Sequence, residues 1–65
     1  MPSTVIRRFD YSPHGRELVV EFVTGRRYVY SGVPLKEAEA MRGAFAKGVY
    51  FNRHIRDRYP YRELV

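Results

Sequence analysis

The sequence predicts an α+β domain in which a three-stranded antiparallel β-meander packs against one longer and one short α-helix. Residues 4–31 contain three runs rich in β-branched and aromatic side chains, separated by turn-forming residues. Residues 34–47 instead place apolar side chains three and four positions apart, which is the spacing of a helix. The length of 65 residues allows only a small core, so we expect residues 1–65 to form a single domain.

The composition favours an anionic partner. Lys and Arg number 12 against 7 Asp and Glu, the net charge is +5, and ten of the basic residues are arginine. Arginine matches the geometry of phosphate, so nucleic acid is the first expectation, although many small basic proteins use such charge only for solubility. Because there is no cysteine, the chain has no disulfide or thiolate metal site, and we expect no cofactor.

The hydropathy pattern indicates where the protein acts. No run is apolar enough for a membrane span, and the first residues lack the apolar segment of a signal peptide. We therefore expect a cytoplasmic protein without membrane contact. We also expect it to be a monomer.

The first two strands are predicted from side-chain types. Residues 4–11 form the first strand, although the alternation of apolar and polar residues fails at Arg7 and Arg8. Residues 12–15, Ser-Pro-His-Gly, suit a type I turn, because proline presets the second position and glycine fits the fourth. Residues 17–23 form the second strand, and alternate residues define its core face: Leu18, Val20 and Phe22.

The third strand carries Tyr28 and Tyr30, which lie two positions apart and therefore on one face. Two registers with the second strand are open. A two-residue loop pairs Val20 with Val29 and turns the tyrosines away from the core. A three-residue loop ending at Gly25 pairs Val20 with Tyr28. We prefer this second register, because it buries both rings with the aliphatic row and gives the left-handed loop position to glycine.

The first helix is predicted to begin at Pro34, whose missing N–H costs nothing in a first helical turn. Gly48 is expected to cap its C-terminal end. Gly43 within this stretch indicates either close approach to a neighbour or an early end of the helix. The apolar face of the helix is predicted from helical spacing and consists of Leu35, Ala38, Met41 and Phe45.

The C-terminal part is predicted to contain a short helix and an extended tail. Residues 49–56 suit the short helix, because Phe51 and Ile55 are four positions apart. Residues 57–62 are expected to be extended, since the residue before Pro60 avoids the helical region. The tyrosines of this tail can fold back onto the sheet.

Several motifs occur together at fixed spacing: L-x-V-x-F-x-x-G-x-x-Y-x-Y, then V-P before the helix, then G-x-Y-F-N-x-x-I-R and Y-P-Y. They occupy Leu18, Val20, Phe22, Gly25, Tyr28, Tyr30, Val33, Pro34, Gly48, Tyr50, Phe51, Asn52, Ile55, Arg56, Tyr59, Pro60 and Tyr61. This joint spacing resembles the KTSC domain over nearly the whole chain. The resemblance implies a small module that occurs at the C-terminus of some lysyl-tRNA synthetases and as stand-alone bacterial and phage proteins. It implies RNA binding as a proposed role and brings no catalytic residues.

The candidate nucleic-acid site is the C-terminal third, where cations and aromatic rings alternate. Proteins hold single strands by stacking bases on aromatic rings and neutralising phosphates with cations. The candidate binding residues are Arg53, Arg56, Arg58, Arg62, Lys47, Tyr50, Tyr59 and Tyr61. Further arginines that can extend the site are Arg7, Arg8, Arg26 and Arg27. Two alternatives stay open, because the rings can pack in the core and the arginines can form an ordinary solvated surface.

Two other classes of function are weighed against RNA binding. Arginine and tyrosine are enriched at protein hot spots, so the second hypothesis is a module that docks on an acidic surface of a larger complex. The third is an enzyme. His54 and Asp57 are three positions apart, but such pairs are more often surface contacts, and the serines lack a matched base and acid. We therefore expect no catalysis, with an RNA-cleaving site at His54, Arg56 and Tyr59 as the weakest hypothesis.

Overall fold

The computed structural model describes residues 6–64 as a four-stranded antiparallel sheet with two helices. The strands are β1 (Ile6–Ser12), β2 (Glu17–Phe22), β3 (Arg27–Ser31) and β4 (Tyr61–Leu64). The helices are α1 (Leu35–Gly43) and α2 (Lys47–His54), and both lie between β3 and β4 in the chain. The strands are ordered β1-β2-β3-β4 across the sheet. The α+β class predicted from the sequence is confirmed.

The core lies between the helices and one face of the sheet, which we call the inner face. Leu18, Val20 and Tyr30 form its sheet side and are at most 4% exposed. Met41 of α1 and Phe51 of α2 pack against them and are at most 1% exposed. The opposite face of the sheet is the outer face. Neither helix within residues 6–64 is long and apolar enough to cross a membrane.

The hairpin of β2 and β3 has the preferred register. Val20 pairs with Tyr28 and Leu18 pairs with Tyr30, so both tyrosines lie on the inner face. Gly25 has a φ of +94°, in the left-handed region, and its N–H donates to the carbonyl of Phe22. The prediction from side-chain parity and from the loop glycine is confirmed.

A β-bulge in β1 explains the broken alternation at its two arginines. The register with β2 shifts by one residue between Ile6 and Arg8, which leaves Arg7 as the extra residue. Both arginines then reach one carboxylate on the outer face: Arg8 Nε lies 3.0 Å from Glu21 Oε1, and Arg7 Nη1 lies 3.9 Å from Glu21 Oε2. Residues 4 and 5, which begin the predicted strand, lie outside the described residues.

The prediction of three strands is wrong by one strand. The predicted extended tail continues into β4, in which Tyr61 pairs with Tyr30 and Arg62 pairs with Val29. The N–H of Ser31 donates to the carbonyl of Pro60 at 2.9 Å and starts this pairing. The strand is short and carries charged residues, as is common at a sheet edge, and this weakens its signal in the sequence.

The boundary between the two helices also differs from the prediction. The first helix ends at Gly43. Of the two explanations offered for this glycine, close approach to a neighbour or an early end of the helix, the structure therefore supports the early end. Gly48 is not a C-terminal cap but lies in the first turn of α2. Phe45, predicted on the buried face of the first helix, lies between the helices and is fully exposed. The physical reason is that the backbone leaves the helix at Ala44, whose φ and ψ are −71° and 141°.

Candidate nucleic-acid interface

A cavity of about 460 Å³ lies on the inner face, between β2, β3, β4 and the end of α2. Five aromatic rings line it and form a closed circuit, in which neighbouring ring centroids are 5.2–5.8 Å apart. Such tilted and edge-to-face contacts are the preferred geometries of aromatic pairs. We call this site the aromatic cavity; its rings, in order around the circuit, are Phe22, Tyr28, Tyr61, Tyr30 and Phe51.

The rings of the aromatic cavity differ strongly in exposure. Phe51 and Tyr30 are 1% and 4% exposed, so they belong to the core. Tyr61 is 60% exposed, although its ring centroid lies 5.3 Å from that of Tyr30 and 5.7 Å from that of Tyr28. The neighbouring rings thus hold Tyr61 in place while it remains accessible, which is the arrangement that a stacking platform requires.

Two arginines border the aromatic cavity, and both side chains are exposed. Arg56 Nη1 donates to Asn52 Oδ1 at 3.0 Å, so an i, i+4 contact orients its guanidinium. The hydroxyl of Tyr28, and then the charge of Glu63, raise the pKa of Arg26 above its ordinary value. Among residues 6–64 the salt bridges involve Arg7 and Arg8 alone, so no carboxylate pairs with the two arginines of the cavity.

One carboxylate, that of Asp57, also lines the aromatic cavity. Burial is the main cause that raises the pKa of Tyr30 to about 12, and Tyr61 adds to this rise. The charge of Arg56 opposes the rise, and the charge of Asp57 adds the smallest part of it. Both charges therefore act on the same tyrosine hydroxyl. The cavity combines a neutral phenol, an anion and cations beside its rings.

Tyr50 and Tyr59 lie in a second cluster, around Glu37 of α1. The Tyr50 hydroxyl donates to Glu37 Oε2 at 2.6 Å, and its ring stacks on His54 with centroids 4.4 Å apart. Burial, followed by this hydrogen bond, raises the pKa of Tyr50 to about 12, and burial also raises the pKa of Tyr59. Both rings are partly buried against the core. Arg58 is exposed beside them, and its charge lowers the pKa values of both.

The remaining candidate cations lie elsewhere on the surface. Arg53 is exposed on α2, and Lys47 Nζ donates to the carbonyl of Ala44 at 3.1 Å. Arg62 lies on the outer face, because it pairs with Val29 while Tyr61 pairs with Tyr30. The structure therefore brings Arg56 and Tyr61 together in the aromatic cavity but does not bring all eight candidate residues onto one face.

The residues considered for catalysis are also separated. His54 stacks on Tyr50, whereas Asp57 lines the aromatic cavity, and no salt bridge within residues 6–64 joins them. Residues 6–64 contain no group of three or more His, Asp or Glu side chains placed to hold a metal ion. Of the serines considered as nucleophiles, Ser3 lies outside the described residues.

Sequence reasoning missed most of the aromatic cavity. From the sequence, Arg26 is only an extension of the site, and Tyr28 is predicted to pack in the core and is not among the candidate binding residues. Because Arg26, Tyr28 and Tyr30 are separated by two positions each, period-two spacing is the signal that places them together. No spacing in the sequence predicts that Asp57 and Phe51 also line the aromatic cavity, since their positions there depend on how α2 packs over the strands.

The fold and the cavity define a small α+β domain with an aromatic site bordered by arginine. The KTSC domain family matches residues 2–59. A solved KTSC domain protein from Yersinia pestis superposes with a TM-score of 0.88 and is 29% identical, over 100% of this chain and 92% of that one. The chain therefore belongs to the KTSC domain family.

Two curated relatives are much longer proteins. A lysine–tRNA ligase of Nostoc sp. is 36% identical over 59 residues, which are 91% of this chain and 10% of that protein. A lysine–tRNA ligase of Nostoc punctiforme is 33% identical over 61 residues, which are 94% of this chain and 11% of that protein. This chain thus spans about a tenth of the length of the curated relatives that it matches.

Proposed function

We propose that this domain is a noncatalytic RNA-binding module that holds single-stranded RNA at the aromatic cavity. The observation that carries the proposal is the position of Tyr61, an exposed ring held between Tyr28 and Tyr30 with Arg26 and Arg56 beside the same cavity. In this proposal a base of the RNA stacks on the ring of Tyr61, and the two guanidinium groups bind phosphates of the RNA backbone beside that base. Stacking of this kind contributes about 1–3 kcal/mol per base.

The distribution of charge supports the proposal. The net charge is +5, and the cations of the C-terminal third have no carboxylate within salt-bridge distance among residues 6–64. Arg53 and Arg58 are exposed outside the cavity, where they add to the positive charge that attracts RNA. The names of the curated relatives identify tRNA as one of their substrates, which favours RNA over DNA as the ligand.

The proposal is tested by binding of labelled single-stranded RNA over a series of salt concentrations. We expect the double variant Arg26→Gln, Arg56→Gln to bind more weakly and to lower the salt slope by about 0.7 for each phosphate that it no longer neutralises. The matched control is Arg16→Gln, Arg42→Gln, which removes the same charge from exposed positions outside the cavity. Equal losses of affinity in the two double variants would reduce the effect to net charge and contradict the proposed site.

A second test concerns stacking. Tyr61→Leu removes the exposed ring, and we expect it to cost about 1–3 kcal/mol of RNA-binding free energy. Phe45→Leu is the control, because Phe45 is a fully exposed ring outside the cavity. If both variants lose the same affinity, any exposed ring captures RNA and the aromatic cavity has no special role.

A second candidate function, docking on an acidic protein surface, is favoured by the outer face. The alternation of the strands places Arg8, Arg27 and Arg62 on this face around Val19 and Val29. Arginine is enriched at protein interfaces, and Arg27 and Arg62 have no salt bridge within residues 6–64. If Arg27→Gln, Arg62→Gln weakens RNA binding as much as the double variant of the cavity does, the outer face also contacts RNA and this candidate loses its support.

A further inference from the structure

The polar groups of the aromatic cavity are of two kinds, and only one of them is explained by binding of phosphate. Arg26 and Arg56 suit an anion, but the carboxylate of Asp57 repels one. Asp57 has no salt bridge with the cations of residues 6–64, so its place in the cavity does not follow from ion pairing. It is nevertheless one of the residues that line the cavity, together with both arginines and Tyr30. A ligand that fits both kinds of group must carry a negative charge and separate hydrogen-bond donors.

The size of the cavity limits the ligand. Sites for small ligands enclose about 300–1,000 Å³, and the aromatic cavity, at about 460 Å³, is near the lower end of this range. Its walls are planar rings, which favour a planar ligand. A single nucleotide meets these conditions, since it has a flat base, a phosphate and donors on its base edge.

The chemistry of the base edge selects among the four bases. A carboxylate has two acceptor oxygens and no donor. Guanine is the base that places two adjacent donors, N1–H and the 2-amino group, on its Watson–Crick edge. Uracil has one donor between two carbonyl oxygens, and the amino groups of adenine and cytosine each lie beside an acceptor nitrogen. A carboxylate therefore pairs with guanine through two hydrogen bonds and with each of the others through one at most.

We propose that the aromatic cavity binds one unstacked guanine, with the base stacked on Tyr61, its Watson–Crick edge on Asp57 and its phosphate on Arg26 and Arg56. The inference rests on the proposed RNA binding and adds a base preference to it. Recognition of a splayed-out base by stacking and by its Watson–Crick edge is the usual way in which proteins read single-stranded RNA. Asp57 is then a specificity-determining residue, and the arginines supply affinity.

The test compares short single-stranded RNAs that differ only at one central base. We expect the whole 65-residue chain to prefer guanine over adenine, cytosine or uracil by about tenfold, within the range of a two-bond base contact. Hypoxanthine, which keeps N1–H but lacks the 2-amino group, is expected to bind with intermediate affinity. This substitution is made in the ligand, so it probes the contact without any effect on the folding of the protein.

Asp57→Asn provides the test from the protein side. We expect the ratio of guanine to adenine affinity to fall to about one, while affinity for the adenine oligomer stays the same or rises because a negative charge is removed. The control is Asp10→Asn, the same change at an exposed position of β1 outside the cavity. It is expected to keep the guanine preference.

Each outcome decides between the two proposals. Absence of binding to every oligomer overturns both RNA binding and the base preference. Equal affinity for all central bases leaves RNA binding in place and overturns the guanine site. A guanine preference that survives Asp57→Asn, or that disappears equally in Asp10→Asn, also overturns the proposed role of Asp57.

Discussion

The hydroxyl of Tyr50 donates a hydrogen bond to Glu37 Oε2 at 2.6 Å, and this bond joins α2 to α1. We expect Tyr50→Phe to lower the free energy of unfolding by about 1–2 kcal/mol, because a bond to a charged acceptor is lost at a partly buried site. Urea unfolding followed by circular dichroism measures the change. Tyr61→Phe is the control, since the exposed Tyr61 donates no hydrogen bond within residues 6–64, and it is expected to change stability by less than about 0.5 kcal/mol. Equal losses of stability in Tyr50→Phe and Tyr61→Phe would mean that the hydrogen bond to Glu37 does not stabilise the fold.

Tyrosine ionisation predicts how stability depends on alkaline pH. Burial raises the pKa of Tyr30 to about 12, and burial together with Glu37 raises the pKa of Tyr50 to about 12, from an ordinary value of about 10. Between about pH 10 and 12 the unfolded chain loses these protons while the folded chain keeps them. The contribution of these tyrosines to the free energy of unfolding is therefore fully present below this window, and it is lost as the pH rises through it.

Urea unfolding at a series of pH values, with tyrosinate absorbance of the folded protein recorded in parallel, measures this dependence. In Tyr50→Phe one of the three tyrosines with a raised pKa is absent, so the loss of stability over the same window should be shallower. Stability that rises with pH in this window, or the same slope in both proteins, would contradict the assignment.

Phe51 and Phe45 lie at opposite extremes of burial. Phe51 is 1% exposed and its ring lies 5.6 Å from that of Phe22 and 5.2 Å from that of Tyr30, whereas Phe45 is fully exposed. Phe51→Ala is expected to cost about 3–5 kcal/mol, which approaches the whole stability of so small a domain and leaves much of the protein unfolded. Phe45→Ala is expected to change stability by less than about 0.5 kcal/mol. Thermal unfolding of the two variants decides this, and a large loss of stability in Phe45→Ala would place that ring in the core.

The inner part of the fold is predictable because its signals are local and periodic. The pairing of Val20 with Tyr28 follows from counting positions on either side of a loop that ends at Gly25. A shift of one residue reverses the face of every side chain in a strand, so burial of the tyrosine rings allows only one of the two registers. The KTSC resemblance rests on the same positions, and the family match confirms it.

The parts that are not predictable depend on packing between distant segments. The spacing of Met41 and Phe45 suits one continuous helix, but Gly43 between them favours leaving the helix, and helical spacing alone does not decide which effect prevails. The aromatic cavity combines side chains of β2, β3, α2 and β4, and it includes Tyr61 only because β4 pairs with β3. Four residues after a proline are too short a segment to predict that strand from its own pattern.

Two glycines of this chain are expected to respond in opposite directions to the same substitution. Gly25 has a φ of +94°, and no heavy atom lies within 4 Å of the position that a Cβ would occupy there. Gly25→Ala therefore meets no steric contact, and its cost of about 1–2 kcal/mol comes from the left-handed backbone alone. Gly43 ends α1 and has the same free space around a Cβ, so Gly43→Ala is expected to stabilise the protein by about 0.5–1 kcal/mol through helix propensity and a less flexible unfolded chain. Denaturant unfolding of the two variants measures both changes. A loss of stability in Gly43→Ala would mean that the break after α1 needs glycine, and an unchanged Gly25→Ala would mean that the β2–β3 loop adopts another conformation.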